Sequence, residues 1–208
     1  MENKNSLKIG DRFPLFNAQT TLGNIKLSDY IGKWVILITC PEEFSPVSTS
    51  ELLALSQKQE ELRSKNIEIL ILSQGNNSSN LAWLQNMYHI SGNLLSFPII
   101  SDCKNNLSAR WNLKNNEMIE HSIFILDTKQ NIRAITNYPQ NIGYDISEII
   151  RVITAMQVTD TGNNSTLANW KPNMPLSANS PRSYYDLLER LEENPLYQNH
   201  YAIKGMIL

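Results

Sequence analysis

The sequence contains little cysteine, with only Cys40 and Cys103 among its 208 residues. Two cysteines cannot build a disulfide framework, and an isolated pair lacks the spacing of a metal site. We therefore expect reduced thiols, as in a cytoplasmic protein, and no metal centre. The longest apolar run, residues 34–39, is far too short to span a bilayer. The first residues also lack the basic and apolar segments of a secretory signal, so we expect no membrane association.

Long runs of one charge are also missing. The chain has 18 basic and 20 acidic residues, with a net charge of −2 and the two signs interspersed. This balance argues against nucleic acid or an acidic membrane surface as the main partner. The glycine-rich phosphate-binding patterns GxGxxG and GxxxxGK followed by Ser or Thr are absent, so neither type of nucleotide site is predicted.

Apolar periodicity predicts an alternation of strands and helices. The predicted strands are Lys33–Thr39, Ile67–Ser73, His121–Asp127 and Ile132–Tyr138, and the predicted helices are Ser48–Lys65, Ser78–Tyr88 and Asp145–Met156. The first two strands with the helix between them form a βαβ unit, which should be a right-handed parallel crossover. A short turn separates the last two strands, which favours a hairpin. The order of elements predicts an α/β layered domain.

The composition changes near residue 158, and we place a domain boundary there. Residues 1–157 form the predicted α/β domain, whereas residues 158–208 begin with a loop-like DTGNNST and continue with a segment carrying three prolines. A short amphipathic helix, SYYDLLERLEEN, follows. We interpret this second part as an extension that packs on the domain or on a second subunit.

The most informative stretch is TCPEEFSPVSTSEL, residues 39–52, because it follows a buried strand and opens a helix. Backbone N–H groups and the positive end of the helix dipole converge at such a turn, which suits an anionic group such as a thiolate. The stretch resembles the motif of peroxiredoxins, Pro-x-x-x-Thr/Ser-x-x-Cys, continued in the one-cysteine branch as Thr-Thr-Glu-Leu. Pro41, Ser45 and Ser48 stand in matching register, with serine in place of the cysteine.

Further segments along the chain resemble the one-cysteine branch in the same order. They are LAW at 81–83, FPII-x-D at 97–102, SIFILD at 122–127, the stretch from Tyr138 to Gln157, and NWKPN at 169–173. The resemblance implies a thioredoxin-like α/β fold with a C-terminal extension and assembly into a homodimer or a higher oligomer. It also implies an antioxidant oxidoreductase ancestry, namely thiol-dependent reduction of hydroperoxides with no metal or organic cofactor.

The resemblance also implies roles for individual residues. Pro41 would shield the pocket, Ser45 would hydrogen-bond the peroxide, and Arg151 would be one of two arginines around the thiolate. Three pocket positions depart from the family pattern: Ser48 replaces the peroxidatic cysteine, His121 replaces the other arginine, and Cys40 replaces a histidine. A serine hydroxyl is not ionised near neutral pH and cannot become a sulfenic acid. We therefore expect no peroxidase activity from this sequence.

Three functional hypotheses follow from these departures. In the first, the chain is a natural non-peroxidase that binds a protein, or a small ligand in the former peroxide pocket. In the second, it is an engineered Cys→Ser variant of an active enzyme, although the departures at Cys40 and His121 argue against this. In the third, Cys40 and His121 form the nucleophile–base pair of a different reaction class. Simpler roles compete with the last. Cys40 can be a small buried hydrophobe, His121 can fill the space of the missing arginine, and Ser48 can be a helix N-cap.

Overall fold

The computed structural model describes residues 6–115, 118–162, 164–193 and 203–204. The strands are β1 (Asn17–Thr20), β2 (Gly23–Lys26), β3 (Trp34–Cys40), β4 (Ile67–Ser73), β5 (Ile99–Ser101), β6 (Lys114–Asn115), β7 (Met118–Ile119), β8 (His121–Leu126), β9 (Ile132–Tyr138), β10 (Asn164–Ser165), β11 (Leu176–Ala178) and β12 (Ile203–Lys204). The α-helices are α1 (Pro46–Gln57), α2 (Gln59–Ser64), α3 (Asn77–Ser91), α4 (Asn106–Arg110), α5 (Ile146–Asp160) and α6 (Tyr184–Glu193), with a 3₁₀ turn at Leu27–Tyr30. The chain divides into two compact units, Met1–Ile146 and Ser147–Leu208.

A seven-stranded sheet with the order β2-β1-β5-β4-β3-β8-β9 organises the first unit. Strands β3, β4 and β5 are parallel to one another, and the remaining pairs are antiparallel. All seven residues of β3 are buried, as expected for a central strand covered on both faces. The predicted parallel β3–β4 unit and the predicted β8–β9 hairpin are both confirmed.

The connection between β3 and β4 differs from its prediction. One helix over Ser48–Lys65 was expected, but two form, because Lys58 adopts φ −104° and ψ 0° and ends α1 before α2 begins. The next predicted helix is confirmed as α3, and its ends have local causes. Asn76 caps its start by accepting a hydrogen bond from the Ser79 N–H, and Gly92 ends it with a positive φ of 71°.

Aromatic side chains fill the core beneath the sheet of the first unit. The ring of Phe13 meets those of Trp111 and Phe124 in edge-to-face contacts with centroid separations of 4.8 and 5.6 Å. Such packing stabilises the core beyond the burial of apolar area alone. Trp83 and Trp111, which lie 0% and 1% exposed, serve as core residues.

The second unit contains the rest of α5, the small antiparallel sheet β10-β11-β12, and α6. The amphipathic helix expected near residue 184 is present as α6. The division between the units falls after Ile146, the first residue of α5, whereas the sequence-based domain boundary at residue 157 lies near the C-terminal end of that helix. In the part of the chain that the structure describes, no helix is both long enough and apolar enough to cross a membrane.

Candidate functional site

The turn from β3 into α1 forms the centre of the candidate site. Ser45 is the N-cap of α1: its side-chain Oγ accepts a hydrogen bond of 3.2 Å from the Ser48 N–H, and its backbone carbonyl accepts one of 2.9 Å from the Thr49 N–H. Phe44 has a positive φ of 60°, which turns the chain sharply before the helix. The suggestion that Ser48 itself caps the helix is therefore wrong, because the chain enters the helix at Pro46 and leaves Ser48 inside the first turn.

Ser48 and Cys40 lie together beneath this turn. The Ser48 side chain hydrogen-bonds Cys40, and the two residues are 3% and 0% exposed. Burial raises the pKa of the Cys40 thiol well above its usual range, and the nearby Glu51 carboxylate raises it further, whereas the Ser48 hydrogen bond lowers it to a smaller extent. The thiol of Cys40 is therefore protonated at neutral pH. Its role as a small buried residue agrees with this geometry.

His121 begins β8 and is paired with a carboxylate that the sequence analysis did not single out. Its Nε2 lies 3.0 Å from Oε2 of Glu51, and the side chains are 1% and 2% exposed. The other carboxylate oxygen, Oε1, accepts a hydrogen bond of 2.8 Å from the Tyr144 N–H. The second ring nitrogen of His121, Nδ1, is buried and has no hydrogen-bond partner. His121 thus does more than fill the space of an arginine.

Tyr144 closes this buried pair from the loop before α5. Its hydroxyl donates hydrogen bonds of 2.6 Å to the His121 carbonyl and 3.2 Å to the Thr136 carbonyl. Its ring centre lies 4.5 Å from that of His121 and 4.8 Å from that of Tyr138. Burial raises the pKa of Tyr144, and the Glu51 carboxylate adds to this effect. The phenol therefore remains a protonated donor that holds the start of β8 in place.

Burial and hydrogen bonding also fix the loop between β3 and α1. Pro41 is buried. The hydroxyl of Ser73, at the end of β4, donates to the Glu43 carboxylate and accepts a 2.9 Å hydrogen bond from the Gly75 N–H. Glu43 also raises the pKa of Cys40. The charged groups that raise the pKa of Cys40 are thus the carboxylates of Glu51 and Glu43.

Arg151, the remaining predicted pocket residue, lies on α5 in the second unit. Its Nε and Nη2 donate to the Glu148 carboxylate at 2.6 and 2.8 Å, and its Nη1 donates to the Trp170 carbonyl at 3.1 Å. These contacts lie within the second unit, so the expected role of Arg151 beside Ser48 stays a prediction. Among the described residues, no group of three or more His, Cys, Asp or Glu side chains is arranged to hold a metal ion.

Glu51 and Tyr144 are the two site residues that sequence reasoning missed. Glu51 belongs to the STSEL segment and lies one helical turn after Ser48, so its spacing signalled a shared helix face. Its burial, and its contact with a residue 70 positions away, have no signature in the sequence. Tyr144 carried no signal beyond its place before a predicted helix.

Comparisons with known proteins identify related sequences and structures. The sequence model of the AhpC/TSA family matches residues 9–135. Peroxiredoxin 2 of Caldanaerobacter subterraneus subsp. tengcongensis is 39% identical over 189 residues, covering 89% of this chain and 86% of that protein. A peroxiredoxin of Aquifex aeolicus is 31% identical, covering 96% and 97%.

Two solved structures are also similar. A yeast mitochondrial 1-Cys peroxiredoxin, studied for thiol resolution through glutathione and thioredoxin systems, has a TM-score of 0.78 and 32% identity over 83% of this chain and 86% of its own. A cysteine-to-serine mutant of the peroxiredoxin 6 of Arenicola marina has a TM-score of 0.81 and 26% identity, covering 88% and 89%.

Proposed function

Because the chain belongs to the AhpC/TSA family of peroxiredoxins, we propose that it is a member of this family without thiol peroxidase activity. The fold is the thioredoxin-like α/β fold of its structural neighbours. The family chemistry is hydroperoxide reduction by a cysteine thiolate at the start of a helix. In this chain the equivalent position is occupied by a serine.

The observation that carries the proposal is Ser48 in the first turn of α1, buried and bonded to Cys40. A thiolate attacks the peroxide O–O bond and becomes a sulfenic acid, which a second thiol then reduces. A serine oxygen has no corresponding oxidation step, and its hydroxyl stays protonated near neutral pH. The position can therefore bind through hydrogen bonds but cannot exchange electrons with a peroxide.

The surroundings of Ser48 support the same proposal. Lowering the pKa of a thiol requires a cation or a helix dipole nearby, whereas the position at which the family resemblance implies a second arginine holds His121, which is paired with Glu51. Cys40 does not replace the missing thiol, since its side chain is inaccessible and its pKa is raised. The site favours ligand binding or a redirected reaction over peroxide reduction.

An engineered Cys→Ser substitution is the second candidate, and one observation favours it. A cysteine-to-serine mutant of a peroxiredoxin 6 has a closely similar structure, so this fold accommodates serine when it is introduced on purpose. The accompanying departures at Cys40 and His121 count against it, because trapping an enzyme does not require them. A Cys40–His121 enzyme is disfavoured by the burial of the thiol and by the use of the His121 Nε2 in binding Glu51.

The proposal extends to assembly and location. We expect a homodimer in which the extension, residues 158–208, packs at the contact between subunits. The small number of cysteines fits a reducing cytoplasmic compartment. Partners would be a second copy of this chain and a small ligand in the former peroxide pocket, or a protein on its surface.

The test is catalytic consumption of hydrogen peroxide with a dithiol reductant, measured for the chain as given and for Ser48→Cys. Ser50→Cys, two residues away at an exposed position of the same helix, is the matched control for an ordinary added thiol. We expect no turnover by the unmodified chain, and turnover above the background of its two native thiols would contradict the proposal. Fast turnover by Ser48→Cys alone would favour the engineered alternative, which sequencing codon 48 of the native gene would then settle.

A further inference from the structure

The side chain of Glu43 reaches from the loop between β3 and α1 to the end of β4. Its carboxylate accepts a hydrogen bond from the Ser73 hydroxyl, and that hydroxyl accepts one of 2.9 Å from the Gly75 N–H. Ser73 is fully buried, so the sheet fixes its position. A hydrogen bond to a carboxylate is stronger than one between neutral groups. The bond therefore ties the loop to a rigid strand.

The space that the Glu43 carboxylate occupies exists because residue 75 has no side chain. A Cβ atom added at Gly75 would overlap the Glu43 carboxylate and would also crowd the Ser79 hydroxyl. Gly75 is not among the residues with a positive φ, so its backbone conformation does not call for glycine. What the missing side chain provides here is room for the close approach of Glu43.

The loop is held against a backbone preference. Phe44, the residue after Glu43, has a positive φ of 60°, which is unfavourable for a bulky side chain. About half of that side chain is exposed, and its ring centre lies 6.3 Å from that of Trp83. A strained conformation of this kind persists only when the surrounding contacts impose it. The hydrogen bond from Ser73 to Glu43 and the contact with Trp83 supply that restraint.

The same loop connects the two buried groups at the centre of the candidate site. Cys40 precedes the loop, and Ser48, whose side chain hydrogen-bonds Cys40, follows it in the first turn of α1. Both residues are buried. Glu43 is near enough to Cys40 to raise the pKa of its thiol. The restraint on the loop therefore acts directly beside the pair that the fold hides from solvent.

We propose that residues 41–44 form a lid over Cys40 and Ser48, and that the hydrogen bond from Ser73 to Glu43 is the latch that keeps the lid closed. When this bond breaks, Phe44 relaxes to a negative φ and the former peroxide pocket becomes accessible to a small ligand. Local openings of this kind occur within folded proteins. This regulation of the pocket rests on the proposed function, in which the pocket binds a ligand instead of reducing peroxide.

The test is the rate at which iodoacetamide labels Cys40 under native conditions, in a Cys103→Ser background that removes the exposed thiol. Glu43→Ala should be labelled at least about tenfold faster than the background chain, because it loses a hydrogen bond to a charged group. Gly75→Ala should act in the same direction, since the new Cβ displaces the Glu43 carboxylate without removing its charge from the chain. The matched control is Glu42→Ala, at an exposed position of the same loop, which should be labelled like the background chain.

Three further measurements separate the lid from other causes of labelling. Labelling through a local opening depends little on urea below the unfolding transition, whereas labelling through global unfolding rises steeply with urea. Hydrogen exchange of the backbone amides in residues 41–52 does not depend on the thiol, and it should accelerate in Glu43→Ala and Gly75→Ala while the amides of β4 keep their protection. The effects of these two substitutions should not add in the double variant, because both remove the same carboxylate from the end of β4.

Several outcomes would overturn the lid. They are unchanged labelling of Cys40 in both variants, equal acceleration by Glu42→Ala, a steep dependence of labelling on urea in Glu43→Ala, and additive effects in the double variant. Opening is measured without peroxide, so its failure leaves the proposed function standing. Peroxide turnover by the unmodified chain, in contrast, refutes the proposed function and leaves the latch in place.

Discussion

Removing the Glu51 carboxylate should destabilise the protein more than any other single truncation in the site. In Glu51→Ala two buried donors lose their acceptor, the His121 Nε2–H at 3.0 Å and the Tyr144 N–H at 2.8 Å. An unsatisfied buried donor costs about 1–3 kcal/mol, which gives about 2–6 kcal/mol for two. This range agrees with the stability loss of about 3–5 kcal/mol that follows removal of one partner from a buried ion pair.

That loss is large compared with the whole stability of a folded protein, about 5–15 kcal/mol. For a chain of this length, about 2–4 °C of melting temperature is lost per kcal/mol, so Glu51→Ala should melt roughly 6–20 °C below the unmodified chain. The melting temperature of Glu51→Gln should lie between those of Glu51→Ala and the unmodified chain, because the glutamine amide oxygen can accept from one of the two donors while its NH₂ group faces the other.

Urea denaturation followed by tryptophan fluorescence measures this free energy of unfolding by linear extrapolation. The matched control is Glu60→Ala, which removes an exposed carboxylate from the neighbouring helix and should change stability by no more than about 0.5 kcal/mol. If Glu51→Ala unfolds within about 1 kcal/mol of the unmodified chain, the pair is not a buried bonded unit, and the reasoning about the site fails with it.

Three other expectations concern the thiols and the hydroxyl of the site. In Ser48→Cys, the lack of the second arginine should leave the new thiol mostly protonated, so its reaction with peroxide should rise about tenfold per pH unit between pH 6 and 8; a rate independent of pH over that range would contradict this. Iodoacetamide should modify exposed Cys103 readily and Cys40 only on unfolding, because burial raises the pKa of Cys40; equal rates at both, read by mass spectrometry, would refute it. Tyr144→Phe removes two hydrogen bonds to backbone carbonyls and should lower the free energy of unfolding, measured by urea denaturation, by about 1–3 kcal/mol. An unchanged denaturation midpoint would show that the hydroxyl does not stabilise the fold.

The long buried strands were the most predictable part of the fold. β3 and β4 are continuous apolar runs, and such runs report burial on both faces without knowledge of their neighbours. The strands β1, β2 and β5 were not predicted. They have three or four residues and lack such a run. They become strands because β2 folds back on β1 as a hairpin, and β1 pairs with β5 far along the chain.

Helix boundaries illustrate the same limit on a smaller scale. Good helix-forming residues continue through Lys58, so the sequence favoured one helix, but the backbone turns there and restarts as α2. Propensity summed over a window does not register a single residue that leaves the helical region. In α3, by contrast, Asn76 starts the helix and Gly92 ends it, so both ends are determined by residues within a short stretch of sequence.

The sequence by itself determined the family and the strand-to-helix turn, and it predicted that Ser48 stands at the position of the peroxidatic cysteine, because these depend only on the order of residue types along the chain. Only the tertiary structure decided what surrounds that serine. Glu51 and His121 are 70 positions apart, and their burial and pairing arise from α1 packing against the start of β8. Desolvation and hydrogen bonding depend on groups that folding brings together in space. Folding therefore determines the protonation of Cys40, the hydrogen bonds of Tyr144 and the unpartnered nitrogen of His121.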